Sequence, residues 1–303
     1  MMKLNDFQQK IAALLPKIEL RYNESMARHT SFRIGGPAEI MAFPKSAEEL
    51  AQILKMSSST DCKYAILGAG TNILAPDKGI AGLVICLKDC LNGIVRLDGN
   101  RIRVGAGVTM TRAAVYAAGQ NLGGMEFAHG IPGTVGGGVY MNAGAYGGEI
   151  VQICESVDVM YPDGSLITIP GAEMGFSYRH SRLEEDGGIV ISAVFALEEK
   201  PEQAVRAVMQ DLQQRRKTSQ PLDLPSAGSA FKRPVGGYAA ALIDQCGLKG
   251  FRVGGAAVSE KHAGFVVNLG GATAEDVCAL LSQVSDVVFE KTGIRLEPEV
   301  RIW

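Results

Sequence analysis

The chain has 303 residues, with 30 Lys+Arg against 32 Asp+Glu and 47% hydrophobic residues. That length allows two or three domains with a substantial core, and the composition excludes wholesale disorder and the basic stripe of a dedicated nucleic-acid binder. Glycine is the outlier: there are 37, and eleven of them fall within residues 119–148.

The N-terminal stretch repeats apolar residues at helical spacing (Leu4, Phe7, Ile11, Leu14, Leu15, Ile18) and predicts a helix ending near Pro16. It has neither the unbroken apolar run nor the cleavage site of a signal peptide. EIMAFP then SAEELAQILKM predicts a strand and a helix, with Ser46 as N-cap and Glu49 completing a capping box. KYAIL (63–67) and LVICL read as strands, and IVRL with RIRV as a hairpin about Asp98-Gly99. Thr109 to Ala118 predicts a helix closed by Gly119. SVDVMY and SLITI flank Pro162-Asp163-Gly164 as a second hairpin, and IVISAVFAL (189–197) is a further strand.

Composition shifts at 198–201. Pro201 suits the first turn of a helix with Ala204, Val205, Val208, Met209 and Leu212 on one face and Arg215, Arg216 and Lys217 at its end. A last long helix runs from about Ala274 to Lys291, with Thr273 as N-cap, Asp276 three residues on and Gly293 as stop. Many short strands without regular βαβ alternation make the fold class α+β.

Phe127 to Gly148 carries no Lys, Arg, Asp or Glu, but its glycines and Pro132 make it a loop-rich segment rather than a membrane span. The six cysteines lack a CxxC pair and read as buried free thiols, which fits a cytoplasmic protein. Four histidines without shared ligand spacing give no metal site.

LGAGTNIL (67–74) follows a strand and is either a phosphate cradle or a structural turn. No Gly-Lys-Ser/Thr follows, and Ile73 stands where a dinucleotide fingerprint needs glycine. GIPGTVGGGVYMNAGAYGGE (130–149) leaves the backbone as its main polar surface, which suits a nucleotide or flavin pressed against main chain, or else a glycine-packed core turn. SYRHS (177–181) is a surface loop or a site built on Arg179. PSAGSAFKRP (225–234) sets serines among small residues without a GxSxG elbow. In GIRLEPEVRIW the alternation puts Glu299 and Arg301 on one face of a strand 294–302, as an anion clamp or as a solvated face.

In this order, HTSFRIGGPAE (29–39), LGAGTNIL, GMEFAHGIPGTVGGGVYMNAGAYGGE (124–149), YRHS, RRKTSQP (215–221), PSAGSAFKRP, residues 247–268 and the final EVR resemble the UDP-N-acetylenolpyruvoylglucosamine reductase family. The short run through YRHS resembles the subgroup without a tyrosine-bearing insertion.

The resemblance implies an FAD-binding domain of the vanillyl-alcohol-oxidase/PCMH type followed by a C-terminal α/β substrate-binding domain. It divides the chain into a lead-in (1–30), the FAD domain (31–198) and the substrate domain (199–303). It also implies non-covalent FAD, NADPH as hydride donor and an enolpyruvyl sugar nucleotide as substrate, in peptidoglycan precursor synthesis. The catalytic positions fall on Arg179, Ser229 and Glu299. Cofactor positions fall on Gly68, Ala69, Gly70, Thr71, Asn72 and Ile73, and on Gly130, Ile131, Pro132, Gly133, Thr134, Gly136, Gly137 and Asn142. Substrate contacts fall on Tyr178, Arg216 and Arg301. No nucleic acid or membrane insertion is expected, and a monomer is favoured. The competing readings are another flavin oxidoreductase of the same superfamily and a nucleotide-binding regulatory module.

Overall fold

A computed structural model describes residues 5–303; Leu4, placed by periodicity on the first helix, lies outside them. Contacts divide the chain into two compact units. The first comprises residues up to Tyr22, Ile40–Ala69 and Gly82–Arg215; the second comprises Asn23–Glu39, Gly70–Ala81 and Arg216–Trp303. The composition shift at 198–201 therefore precedes the boundary by contact, which falls within the helix Glu202–Ser219.

The first unit is built on two sheets. One has the order Glu19–Ser25, Pro37–Phe43, Ile80–Cys86, Tyr64–Leu67, the last two strands parallel. The other is antiparallel, in the order Leu166–Pro170, Cys154–Met160, Ile189–Ala196, Arg101–Gly105, Ile94–Leu97. Ile189–Ala196 is central and buried along seven of its eight residues, which is why it reads as a continuous apolar run without alternation. The helix Met110–Gly119 packs Ala113, Ala114, Ala117 and Ala118 into that core.

The second unit carries an antiparallel sheet in the order Ser226–Ser229, Phe265–Asn268, Ala256–Val258, Arg252–Val253. The helix Ala274–Thr292 buries Val277, Leu280, Leu281, Val284 and Val288 in the core of this unit. Each such side chain contributes about 1.5–3 kcal/mol on leaving water. Its Thr273–Asp276 capping box and left-handed Gly293 are where the sequence puts them. Asp77 adds a cap of its own, its carboxylate oxygens accepting the N–H groups of Ala274 and Glu275.

Four local expectations change. Ser46 caps its helix, but the Glu49 carboxylate reaches the Lys45 N–H (2.7 Å), so the box is not closed on Ser46. Gly119 is the last helical residue rather than a left-handed stop; that backbone conformation falls on Asn121 (φ 57°). On Glu202–Ser219, Val205, Met209 and Leu212 are buried with Arg216, while Ala204 and Val208 are exposed. The final segment is a strand only at Arg301–Ile302, and Pro298 and Ile302 are exposed although the alternation points them inward.

Among the described residues no helix is long and apolar enough to cross a membrane, and no cluster of His, Cys, Asp or Glu could hold a metal ion. None of the six cysteines forms a disulfide; Cys62, Cys86, Cys90 and Cys246 are buried as expected, but Cys154 and Cys278 are only half-buried.

Candidate active site

In the first unit the two glycine segments meet. A Cβ on Gly68 would stand 2.8 Å from the Thr134 hydroxyl, so only glycine lets the first loop approach the second. The second segment is less open than its composition suggests. Residues 135–140 form a short helix capped by Thr134, whose hydroxyl accepts the Gly137 N–H. Gly136 lies against Ala106 and Gly138 against the Met110 sulfur, so their missing side chains are answered by protein atoms.

The main-chain donors are largely spent too. Gly130 N–H goes to Thr111, Ile131 to Ala128, Val135 to Val108 and Gly136 to Ala106. Among the described residues of this unit, the N–H groups of Gly68, Ala69, Gly133 and Thr134 have no protein acceptor. Contiguous uncommitted amides on tight glycine turns form a concavity suited to a phosphate oxygen. The residues present therefore fit the pyrophosphate of a dinucleotide.

Tyr178 and Arg179 form the tip of a two-residue turn closed by reciprocal main-chain hydrogen bonds between Ser177 and His180 (3.2 and 3.3 Å). Arg179 is in the left-handed region (φ 57°), an uncommon place for a long side chain and one found at sites where surrounding contacts hold the strain. Those contacts are identifiable. Asn142, 1% exposed and itself at φ 41°, donates to the Ser177 carbonyl (3.0 Å) and the Glu149 carboxylate (3.1 Å). Its amide oxygen accepts the Val151 N–H (3.0 Å). Ser181, fully buried, donates to the Tyr140 carbonyl (2.8 Å) on the other flank of the turn. So held, the guanidinium donates to the Gly144 carbonyl and lies 4.9 Å from the centre of the Tyr178 ring.

In the second unit, Ser229 ends the strand Ser226–Ser229 after an irregularity in its pairing with Phe265–Asn268. Gly228 takes φ 82° there, and no protein atom lies within 4 Å of where its Cβ would be. The glycine is needed for its backbone angle, and its lack of a side chain leaves Ser229 exposed beside open space. Ala230 donates to the Gly264 carbonyl, while its own carbonyl accepts the Glu299 N–H (2.9 Å). Ser229 and Glu299 therefore sit on adjoining segments of one framework.

His262, unassigned by sequence reasoning, belongs to this framework: its Nδ1 accepts the Gly264 N–H (3.1 Å), which leaves the proton on Nε2. Burial pushes its pKa below the ordinary histidine value. Arg301 continues from Glu299 into the parallel pairing with Ile73–Leu74. Arg216 is buried at 7% exposure.

Three further cofactor positions also have protein tasks. Gly70 (φ 62°) is required by the carbonyl of His29, against which any Cβ would collide. The side chain of Asn142 is committed to the arginine turn, and that of Asn72 to the carbonyl of Glu299.

Sequence comparison matches residues 38–170 to an FAD binding domain and residues 220–303 to the C-terminal domain of UDP-N-acetylenolpyruvoylglucosamine reductase. A reductase of that name from Caldanaerobacter subterraneus subsp. tengcongensis is 46% identical over 97% of this chain and 96% of its own length. The chain belongs to the UDP-N-acetylenolpyruvoylglucosamine reductase family. A second reductase, from Streptococcus pneumoniae, is 43% identical over 97% of both chains. The crystal structure of the Thermus caldophilus reductase superposes with a TM-score of 0.80 at 37% identity, covering 95% of this chain and 99% of that one. As a reductase of this family, the chain is a flavoprotein oxidoreductase whose FAD domain precedes the family's own C-terminal domain.

Proposed function

We propose that this chain reduces the enolpyruvyl ether of UDP-N-acetylglucosamine enolpyruvate to UDP-N-acetylmuramate, with Arg179, Ser229 and Glu299 as its catalytic residues. The full-length kinship at 46% identity carries the reading. The backbone settings of those three residues support their assignment.

FAD supplies the hydride relay between NADPH and the carbon–carbon double bond. Hydride addition at the terminal methylene leaves an electron pair delocalised onto the substrate carboxylate. Arg179, held in place by its turn, offers guanidinium N–H groups where that charge develops, and a preorganised cation there lowers the barrier rather than merely binding substrate. Glu299 assists by hydrogen bonding, the role the family resemblance gives it. Ser229 donates its hydroxyl proton to the carbon next to the ether oxygen, giving the lactyl ether, and regains a proton from solvent. Tyr178, Arg216 and Arg301 hold phosphate or carboxylate groups, as arginine forks do well. The amides of Gly68, Ala69, Gly133 and Thr134 hold the FAD pyrophosphate. Hydride donor and sugar nucleotide are cytoplasmic metabolites, which fits a cytoplasmic enzyme.

The test is Ser229→Ala, read one half-reaction at a time. Flavin reduction by NADPH should stay within about twofold of wild type, while oxidation by the enolpyruvyl sugar nucleotide should slow by roughly 10²–10⁴, the usual worth of a positioned proton donor. Equal slowing of both halves would remove the proton-donor role.

A further inference from the structure

Asn72 sits in the glycine loop that the family resemblance gives to the cofactor, yet its side chain faces the C-terminal segment. The amide nitrogen donates to the Glu299 carbonyl (3.2 Å), and the Asn72 carbonyl accepts the Arg301 N–H (3.0 Å). The next two residues continue the grip: Ile73–Leu74 pair in parallel with Arg301–Ile302, and the Leu74 carbonyl accepts the Trp303 N–H (3.1 Å). These two short strands form a two-stranded sheet of their own. The Glu299 backbone is thus fixed at both ends, its N–H by Ala230 and its carbonyl by Asn72. The Gly-Ala-Gly-Thr turn that precedes Asn72 has no intrinsic need for an asparagine aimed this way.

We propose that Asn72 is a positioning residue for Glu299 and Arg301, linking the register of the catalytic segment to the conformation of the glycine loop. The residue acts through the main chain of 299–301 and not through a side-chain contact with flavin. Loading of the loop by a pyrophosphate at Gly68 and Ala69 then stiffens residues 299–303, because Asn72, which anchors the segment, follows Ala69 by only three residues. Without the Asn72 amide the Glu299 carbonyl loses that hydrogen bond, and the Glu299 carboxylate and the Arg301 guanidinium lose their common register. The consequence for catalysis rests on the roles given above to Glu299 and Arg301; the mechanical link does not.

The experiment compares wild type and Asn72→Ala as FAD-loaded holoenzyme and after removal of flavin. Amide hydrogen exchange in a peptide covering 299–303 should be slower in wild-type holoenzyme than in the flavin-free protein. In Asn72→Ala holoenzyme it should quicken by about 5–10-fold, the worth of one net hydrogen bond to local opening. Oxidation of the reduced enzyme by the sugar nucleotide should fall about 10-fold or more, with reduction by NADPH and retention of FAD on ultrafiltration unchanged within about threefold. If Asn72→Ala does not fold, Asn72→Ser, with a shorter hydroxyl donor, is read in the same way and should fall between the two. Unchanged exchange at 299–303, or loss of FAD retention with that exchange unaltered, overturns the proposal and makes Asn72 a simple cofactor ligand. Quickened exchange in a protein whose reduced form ignores the sugar nucleotide would keep the mechanical link and remove the proposed reaction.

Discussion

A left-handed arginine on a two-residue turn is stable only because its neighbours bear the cost. Asn142 is the central one, since its three hydrogen bonds join residues 149, 151 and 177 behind Arg179. Asn142→Ala removes the hydrogen bonds that the Ser177 carbonyl and the Val151 N–H make to that side chain; because both residues are exposed, each loss costs about 0.5–1.5 kcal/mol, the net worth of one hydrogen bond. The expected outcome is a lower urea midpoint together with a fall in kcat of about 10-fold or more, while KM for NADPH holds. A variant that loses stability but keeps kcat would show that the turn does not depend on Asn142. The residues proposed to touch chemistry were legible through the family resemblance: its YRHS, GSAF and EVR segments put those roles on Arg179, Ser229 and Glu299. The residues that hold them were not, because Asn142 and Asn72 act on partners 35 and 227 positions away. The glycine surplus divides in the same way. Gly68 serves the approach of one loop to the other, Gly70 and Gly136 serve protein neighbours, and Gly228 serves a backbone angle.

Among the elements, several with caps or apolar runs follow the sequence to within a residue or two, such as Ala274–Thr292 and Ile189–Ala196. The Ser46-capped helix, however, runs on to Thr60, and the strictly alternating 294–302 is a strand only at Arg301–Ile302. The helix at 135–140 does not follow the sequence either, since VGGGVY has poor helix propensity and forms through the Thr134 cap and contacts with Ala106 and Met110. Likewise nothing local marks the pairing of Glu198–Glu199 with Leu122–Gly123, which is secured by an ion pair between Lys200 and the largely buried Glu126 (2.9 Å). Burial alone would push the Glu126 pKa up. The Lys200 hydrogen bond and the main-chain donors of Glu126 and Gly124 outweigh it and hold the pKa below the ordinary carboxylate value. A carboxyl depressed on folding stabilises above its unfolded value of about 4.3 and loses that contribution as pH falls through the folded value. Melting temperatures from pH 7 to pH 3 should therefore show Lys200→Met less stable than wild type at neutrality, with the gap closing below about pH 4. A gap independent of pH would mean that the ion pair contributes nothing to this pairing.

For the whole molecule, the order of motifs along the chain reveals the family, but not how contacts divide the chain. Residues 23–39 and 70–81 pack with the C-terminal portion although they lie within or beside the matched FAD domain, and Asp77 caps a helix nearly two hundred residues further on. Such pairings carry no local signature, since nothing within 70–81 encodes its partner. They also mean that the chain passes from one unit to the other inside the glycine loop, between Ala69 and Gly70. The central claim, that this chain reduces an enolpyruvyl sugar nucleotide at the expense of NADPH, is tested most directly by anaerobic stopped-flow. Enzyme reduced with one equivalent of NADPH is mixed with UDP-N-acetylglucosamine enolpyruvate and flavin absorbance is followed. Rapid recovery of the oxidised flavin spectrum with formation of UDP-N-acetylmuramate is the predicted result; a flavin that stays reduced until oxygen is admitted would contradict the account.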